Sequence, residues 1–273
     1  MSNRSVIDII RNKSLRTGRS YDLGKMGLKE LWVAYLTHGT ILLYFALIIA
    51  SIIGVIYTFN GWIPVLASVV VLILGFPLIW YIIHRWIMHV PILYQIKWTA
   101  SLWKRIHFDH HQDPHLLNVL FGSPLNTIPT MLIVGGGIGY LVGGVPGFFA
   151  AFGTSVYMGC FYEFFHCIQH LNYKPKSHFV LRIKQLHVLH HFHYEKGNFG
   201  ITNYFWDKVF GSYYEDAKAR PRSPTVFNMG YDLKAAERYP WVMLKTGAPP
   251  RDRPAGSNFR ENKVESSKNK KAA

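Results

Sequence analysis

Ten of the histidines in this 273-residue chain fall into four tight clusters. They are His84 and His89 (H-x4-H), His107, His110 and His111 (H-x2-HH), His166 and His170 (H-x3-H), and His187, His190 and His191 (H-x2-HH). Imidazole is the commonest metal ligand and suits iron, zinc, copper and nickel. Ten ligands are too many for one ion and about right for two, so the pattern predicts a dinuclear metal centre. Residues at i, i+3 and i+4 share a helix face, which lets the last three clusters each aim at one place. His84 and His89 are five apart, about 140° round an ideal helix. They can meet only if the helix ends, unwinds or bulges between them, or if they serve different metals. His38, His115 and His178 stand apart and read as surface or hydrogen-bonded side chains. His193 closely follows the last cluster and reads either the same way or as support for a ligand.

The elements that must carry these clusters are unusually apolar. Residues 31–83 contain no Asp, Glu, Lys or Arg, and neither do residues 114–162. A bilayer core takes about 20 helical residues, so each block is long enough to cross twice. Asn60-Gly61 and Gly143-Gly144 with Pro146 mark the reversals. The predicted fold is all-α, an integral membrane protein with four transmembrane helices in two hairpins. The spans lie at about 38–59, 62–83, 121–141 and 146–166. A cytoplasmic helical cap would hold the histidine-rich dimetal site. A soluble helical protein would need charges on its outward faces, and these blocks have none.

Charge sets the orientation. Of 30 Lys and Arg, seven lie in residues 1–30, four in 84–113 and nineteen in 163–273, leaving none for the loops within each hairpin. The positive-inside rule then puts both termini and all four clusters on the cytoplasmic side. The net charge of +15 follows from this bias and from attraction to anionic lipid headgroups. No nucleic-acid-binding motif accompanies it, so no nucleic acid partner is expected. The polar, basic start of the chain argues against a removable signal peptide. Lys270-Lys271 near the end resembles an endoplasmic-reticulum retrieval signal but arises easily in a Lys-rich tail, so a bacterial inner membrane stays open beside the endoplasmic reticulum.

The chain divides into a basic cytoplasmic segment (1–30), a membrane-embedded domain (31–220) and a basic, largely flexible tail (221–273). Ile92, Ile96, Thr99, Trp103 and Ile106 recur at helical spacing, which fits an amphipathic helix either in the headgroup layer or packed under the cap. Residues 197–214, rich in Gly and aromatics, read as a compact part of the cap. Cys160 and Cys167 are two turns apart, too far for a disulfide, and read as packing residues. No internal repeat, P-loop, G-x-G-x-x-G or G-x-S-x-G is present.

The order H-x4-H, H-x2-HH, H-x3-H, H-x2-HH resembles the fatty acid hydroxylase and sterol desaturase superfamily, most of all its fatty acid 2-hydroxylase branch. The third box reads His166-Cys-Ile-Gln-His170, unlike that of carotenoid ring hydroxylases. Asn198-Phe-Gly-Ile-Thr, Trp206-Asp207 and Phe210-Gly211 also resemble the family's segment after the last box. The resemblance covers roughly residues 70–215. It implies a membrane-bound monooxygenase whose ten box histidines hold two iron ions and which uses O2 to hydroxylate a lipid, with carbon 2 of a fatty acyl chain favoured. Attack on an unactivated C–H bond calls for a redox-active metal, which zinc is not. Asp109, inside the second box, and Glu163, on the face of His166 and His170, are candidates to accept a ligand's second N–H. The competing readings are a helix cap for Asp109 and a headgroup-level charge for Glu163. Many 2-hydroxylases carry a fused cytochrome b5 domain with a His-Pro-Gly-Gly motif, and none occurs here. The implied partners are therefore the membrane, a lipid substrate and an external electron carrier of cytochrome b5 or ferredoxin type. A desaturase would use the same ligands. A divalent-cation transporter is the alternative of another class, but transporters place their ligands near the bilayer midplane.

Overall fold

The computed structural model describes residues 21–250; residues 1–20 and 251–273, with most of the N-terminal basic segment and the end of the tail, lie outside the described residues. Among the described residues the regular structure is helical, with one isolated bridge between Asp22 and Leu116. The main helices are α1 (Leu28–Leu36), α2 (Gly39–Thr58), α3 (Trp62–Ile83), α4 (Gly137–His170) and α5 (His178–Phe192). α2 begins where His38 accepts the Thr40 N–H, which satisfies one of the free donors of the first turn.

Three helical stretches are long and apolar enough to cross a membrane: Gly39–Thr58, Trp62–Met88 and Leu117–His170. The third is not straight. Gly143 and Gly144 have non-helical backbone angles, and Gly144 at φ 62° sits in the left-handed region that favours glycine. The chain reverses there. A Cβ on Gly139 would strike the Gly147 carbonyl, and one on Gly135 would stand 2.7 Å from Ser155 Cβ. The arms therefore pack at backbone distance, a closeness that small residues permit between membrane helices.

α4 is the central element and packs along both α3 and α2. Its inner face joins Leu31, Tyr35, Ile41, Tyr44 and Phe121 around Val156, Cys160 and Cys167 in one core. Both cysteines are buried and unbridged, and the Tyr35 hydroxyl donates to the Cys160 carbonyl at 2.6 Å. The outward faces are apolar as well: Ile56 is 67% exposed, Leu74 72% and Leu141 86%. A surface of that kind suits hydrocarbon rather than water. Exposed Tyr57, Trp62 and Tyr140 cluster by the two reversals, as aromatic residues do at a membrane interface.

One expectation needs correction. The amphipathic stretch at 92–106 is not one helix, because Ile96 is extended and separates Ile92–Gln95 from Ala100–Trp103. The break splits the two environments weighed for it: Ile92, Ile96 and Trp98 are exposed, while Trp103 is buried against Tyr231 and Phe108. In the 221–273 segment, the described residues 221–250 pack against the rest of the molecule. Met229, Tyr231, Val242 and Ala248 form a core with Tyr94 and Trp103. Those few apolar residues are spread through Pro- and Lys-containing sequence, so they carry no periodicity to announce them.

Candidate metal centre and cavity

Four helix ends converge beside the spans. His84 follows α3 directly and opens a π-helical turn, His84–Met88, closed by the His89 N–H donating to the His84 carbonyl at 3.2 Å. This bond spans five residues, and the wider turn brings i and i+5 onto one face. A second π-helical turn, Lys104–Phe108, leads into Asp109–Gln112 and presents His107, His110 and His111. α4 contributes His166 and His170 from its last turn, and α5 contributes His187, His190 and His191.

All ten come together, and nine are buried, with His89 half-buried. Their nitrogens form one group of His84, His89, His107 and His190, and a second of His110, His166, His170, His187 and His191. His111 joins His190 and His191 in a third set that links the two. In the first group, His84 Nε2 lies 2.9 Å from His107 Nε2 and 3.2 Å from His89 Nε2, which is itself 2.9 Å from His107 Nε2. In the second, His166 Nε2 is 3.0 Å from His110 Nε2 and 3.1 Å from His187 Nε2, which is 2.9 Å from His170 Nε2.

Three imidazole nitrogens in a triangle cannot all be satisfied by one another's protons. The spacing instead suits nitrogens gathered around one ion, at metal–imidazole bonds of about 2.1 Å. Tautomers agree. His84 Nδ1 donates to the Phe199 carbonyl at 2.6 Å, His190 Nδ1 to Gly197 at 2.8 Å and His111 Nδ1 to Val226 at 3.0 Å. Each Nε2 is thereby left with its lone pair, and those of His111 and His190 are buried with no hydrogen-bond partner among the described residues. Burial first, then the neighbouring imidazoles, holds His107, His110, His187, His190 and His191 well below the usual histidine range. Burial pushes His111 down to about 3. All are therefore neutral and able to bind metal, and the two groups could each hold an ion.

The remaining candidates sit elsewhere. Asp109 pairs with Lys104 Nζ at 2.5 Å rather than with an imidazole. Glu163 is buried and accepts the Gly122 N–H at 3.0 Å through Oε1, while Oε2 has no partner among the described residues. Glu163 lines a cavity of about 360 Å³ with His107, His110 and His166. The other walls are mainly apolar (Trp80, Ile83, Leu102, Ile106, Leu120), with Thr127 and Asn126 as polar points and exposed Ile87 and Leu125 at the rim. That volume falls in the range of small-molecule sites. His38 stacks on Phe121, His178 is the first residue of α5, and His193 Nε2 donates to the Arg220 carbonyl at 2.7 Å.

Asp207 is a further functional residue, one whose role no spacing announces. Its buried carboxylate accepts the N–H groups of Phe199 and Gly200, both at 2.8 Å, and the Ser212 hydroxyl at 2.7 Å. It thus fixes the turn whose Phe199 carbonyl orients His84. Asn198, at φ 54°, bridges the same turn to both main-chain groups of Tyr214. The signal was an Asp eight residues after a Gly-containing aromatic turn, which is too short a pattern to read without contacts.

A fatty acid hydroxylase family model matches residues 69–212, more than half of the chain and all ten histidines. The chain belongs to the fatty acid hydroxylase family. It is 30% identical to human fatty acid 2-hydroxylase over 140 residues, covering 49% of this chain and 36% of that one. It is 26% identical over 141 residues to the dihydroceramide fatty acyl 2-hydroxylase of Arabidopsis thaliana, covering 51% and 57%. It is also 26% identical over 177 residues to the ceramide very long chain fatty acid hydroxylase of Schizosaccharomyces pombe, covering 58% and 46%. The chain thus spans less than two thirds of each of these relatives. No solved structure matches it.

Proposed function

We propose that this protein is a membrane-bound non-haem di-iron oxygenase that hydroxylates a fatty acyl lipid with O2, at carbon 2 in preference. Electrons would come from a separate carrier of cytochrome b5 or ferredoxin type. The observation that carries this reading is the ten-histidine cluster contributing His107, His110 and His166 to the wall of an apolar cavity. Two irons held by those imidazoles supply the O2 chemistry that an unactivated C–H bond requires. Ile83, Leu102, Ile106 and Leu120 bind the alkyl chain and exclude water. Holding one carbon against the histidine wall turns an intermolecular attack into an oriented one. Carbon 2 is favoured because the box order resembles 2-hydroxylases and because the relatives above are named as such. Glu163 belongs to the cavity wall, and Asp109, through Lys104, steadies the turn that carries the second box.

In this reading the chain crosses the bilayer four times, reversing at Asn60-Gly61 and at Gly143-Gly144, with both termini cytoplasmic in a bacterial inner membrane or the endoplasmic reticulum. The reversal in α4, the apolar outer faces and the placement of every Lys and Arg support it. The histidines stand at span ends beneath the cap, which speaks against ion transport through the midplane. The direct test is lipid mass spectrometry of cells with and without the gene. A product heavier by one oxygen is expected, and a product lighter by two hydrogens would make it a desaturase instead.

A further inference from the structure

The three carbonyls that orient His84, His190 and His111 do not come from one segment. Phe199 and Gly197 lie within the family-matched region, whereas Val226 lies beyond its end at residue 212. Val226 sits on a strap, residues 220–229, that closes over the second and fourth histidine boxes. The strap is tied at several points. The Ser223 N–H donates to the His193 carbonyl at 2.8 Å, His193 Nε2 donates to the Arg220 carbonyl, and Gln112 Nε2 donates to the Phe227 carbonyl at 2.7 Å.

The strongest tie is a buried carboxylate that the proposed chemistry does not use. Glu195 is 2% exposed and follows His191 by four residues. Its Oε1 accepts the Ser223 hydroxyl at 3.0 Å and the Thr225 hydroxyl at 2.7 Å. Burying a carboxylate is costly, and hydrogen bonds to both flanks of one short segment offset that cost by fixing the segment. Ser223 and Thr225 lie three residues and one residue before Val226, so their anchor sets where the Val226 carbonyl points.

We propose that Glu195 is a positioning residue for the metal-ligating His111: through Ser223 and Thr225 it seats the Val226 carbonyl on the His111 Nδ1–H. The seated carbonyl fixes the His111 tautomer and keeps its Nε2 lone pair on the centre. This rests on the reading that the histidine groups hold two ions. It assigns a metal-centre role to residues outside the family-matched segment. His111 stands between the two groups: its ring is 4.2 Å from that of His191 and 4.7, 5.0 and 5.0 Å from those of His107, His89 and His190. Loosening His111 therefore weakens iron retention at the joined centre while leaving the other nine histidines in place.

The test uses the purified full-length protein in detergent, with iron per chain measured across a chelator series alongside the thermal transition. The wild type should hold two irons. Glu195→Ala should release iron at about tenfold lower chelator with an unchanged thermal transition, the scale on which removing an outer hydrogen-bond partner weakens a site. Glu195→Gln keeps an acceptor oxygen for both hydroxyls and should behave as wild type. The double variant Ser223→Ala, Thr225→Val should reproduce Glu195→Ala, and it carries the test if Glu195→Ala does not fold. Wild-type retention of both irons in the Ala variant, or joint loss of both with a lowered thermal transition, would overturn the proposal. A wild-type chain with no bound iron would instead remove the reading on which it rests.

Discussion

His190 and His191 each belong to two of the three nitrogen sets, and His190, which donates through Nδ1 to Gly197, joins the first group to the linking set. Replacing His190 by Ala should remove activity and lower bound iron to one per chain or less, as read by elemental analysis. Ala at His107, His110, His111, His166, His170, His187 or His191 should also abolish turnover while the protein still inserts, because the apolar spans that drive insertion are unchanged. His38→Asn should keep most activity, since Asn also accepts the first-turn N–H that His38 accepts. Full turnover in His190→Ala would contradict the shared centre. Which histidines meet was legible from their spacing, because imidazole and helical periodicity are both side-chain properties. The division into two linked groups was not, nor were the carbonyls of Gly197, Phe199 and Val226. Main-chain acceptors leave no trace in residue identity, and only the fold shows which ones face a ring.

At the scale of elements, the first box depends on a local departure from the α-helix. Five-residue spacing between His84 and His89 would set them far apart on an ideal helix, and the π-helical turn His84–Met88 removes that offset. Such a turn amounts to one extra residue in an α-helix. Deleting Ile87 should therefore leave an ordinary helix with the two histidines at i and i+4, and the protein should retain iron. Inserting Ala after Ile87 should place them on opposite faces and lose iron from the first group while sparing the second. Equal iron contents in the two variants would mean that the turn has no such role. A bulge is one of several ways to bring residues at this spacing together, and the choice among them lies in the backbone. The break at Ile96 was illegible for a related reason: apolar spacing marked which side chains share an environment, not whether one helix carries them.

At the level of the whole molecule, the proposed polarity follows from the charge distribution, and labelling can test it. Asn60 is exposed at the reversal end and Trp98 is 88% exposed beside the first two boxes. With Cys160 and Cys167 buried, Asn60→Cys should react with an impermeant thiol reagent from outside the cell and Trp98→Cys should not. The opposite accessibility would reverse the topology and with it the side from which electrons arrive. Hydropathy and charge made the spans readable because the bilayer constrains composition over twenty residues at a time. The cap beyond residue 220 answers to no such constraint and emerged only in its packing. An O2-dependent hydroxylase with iron in a ten-histidine centre is best tested on the purified protein. Purified protein should carry close to two irons and add one oxygen to an acyl lipid only when O2 and an electron donor are both supplied, while zinc-loaded, iron-free protein should give no product. Equal turnover by the zinc-loaded form would contradict it.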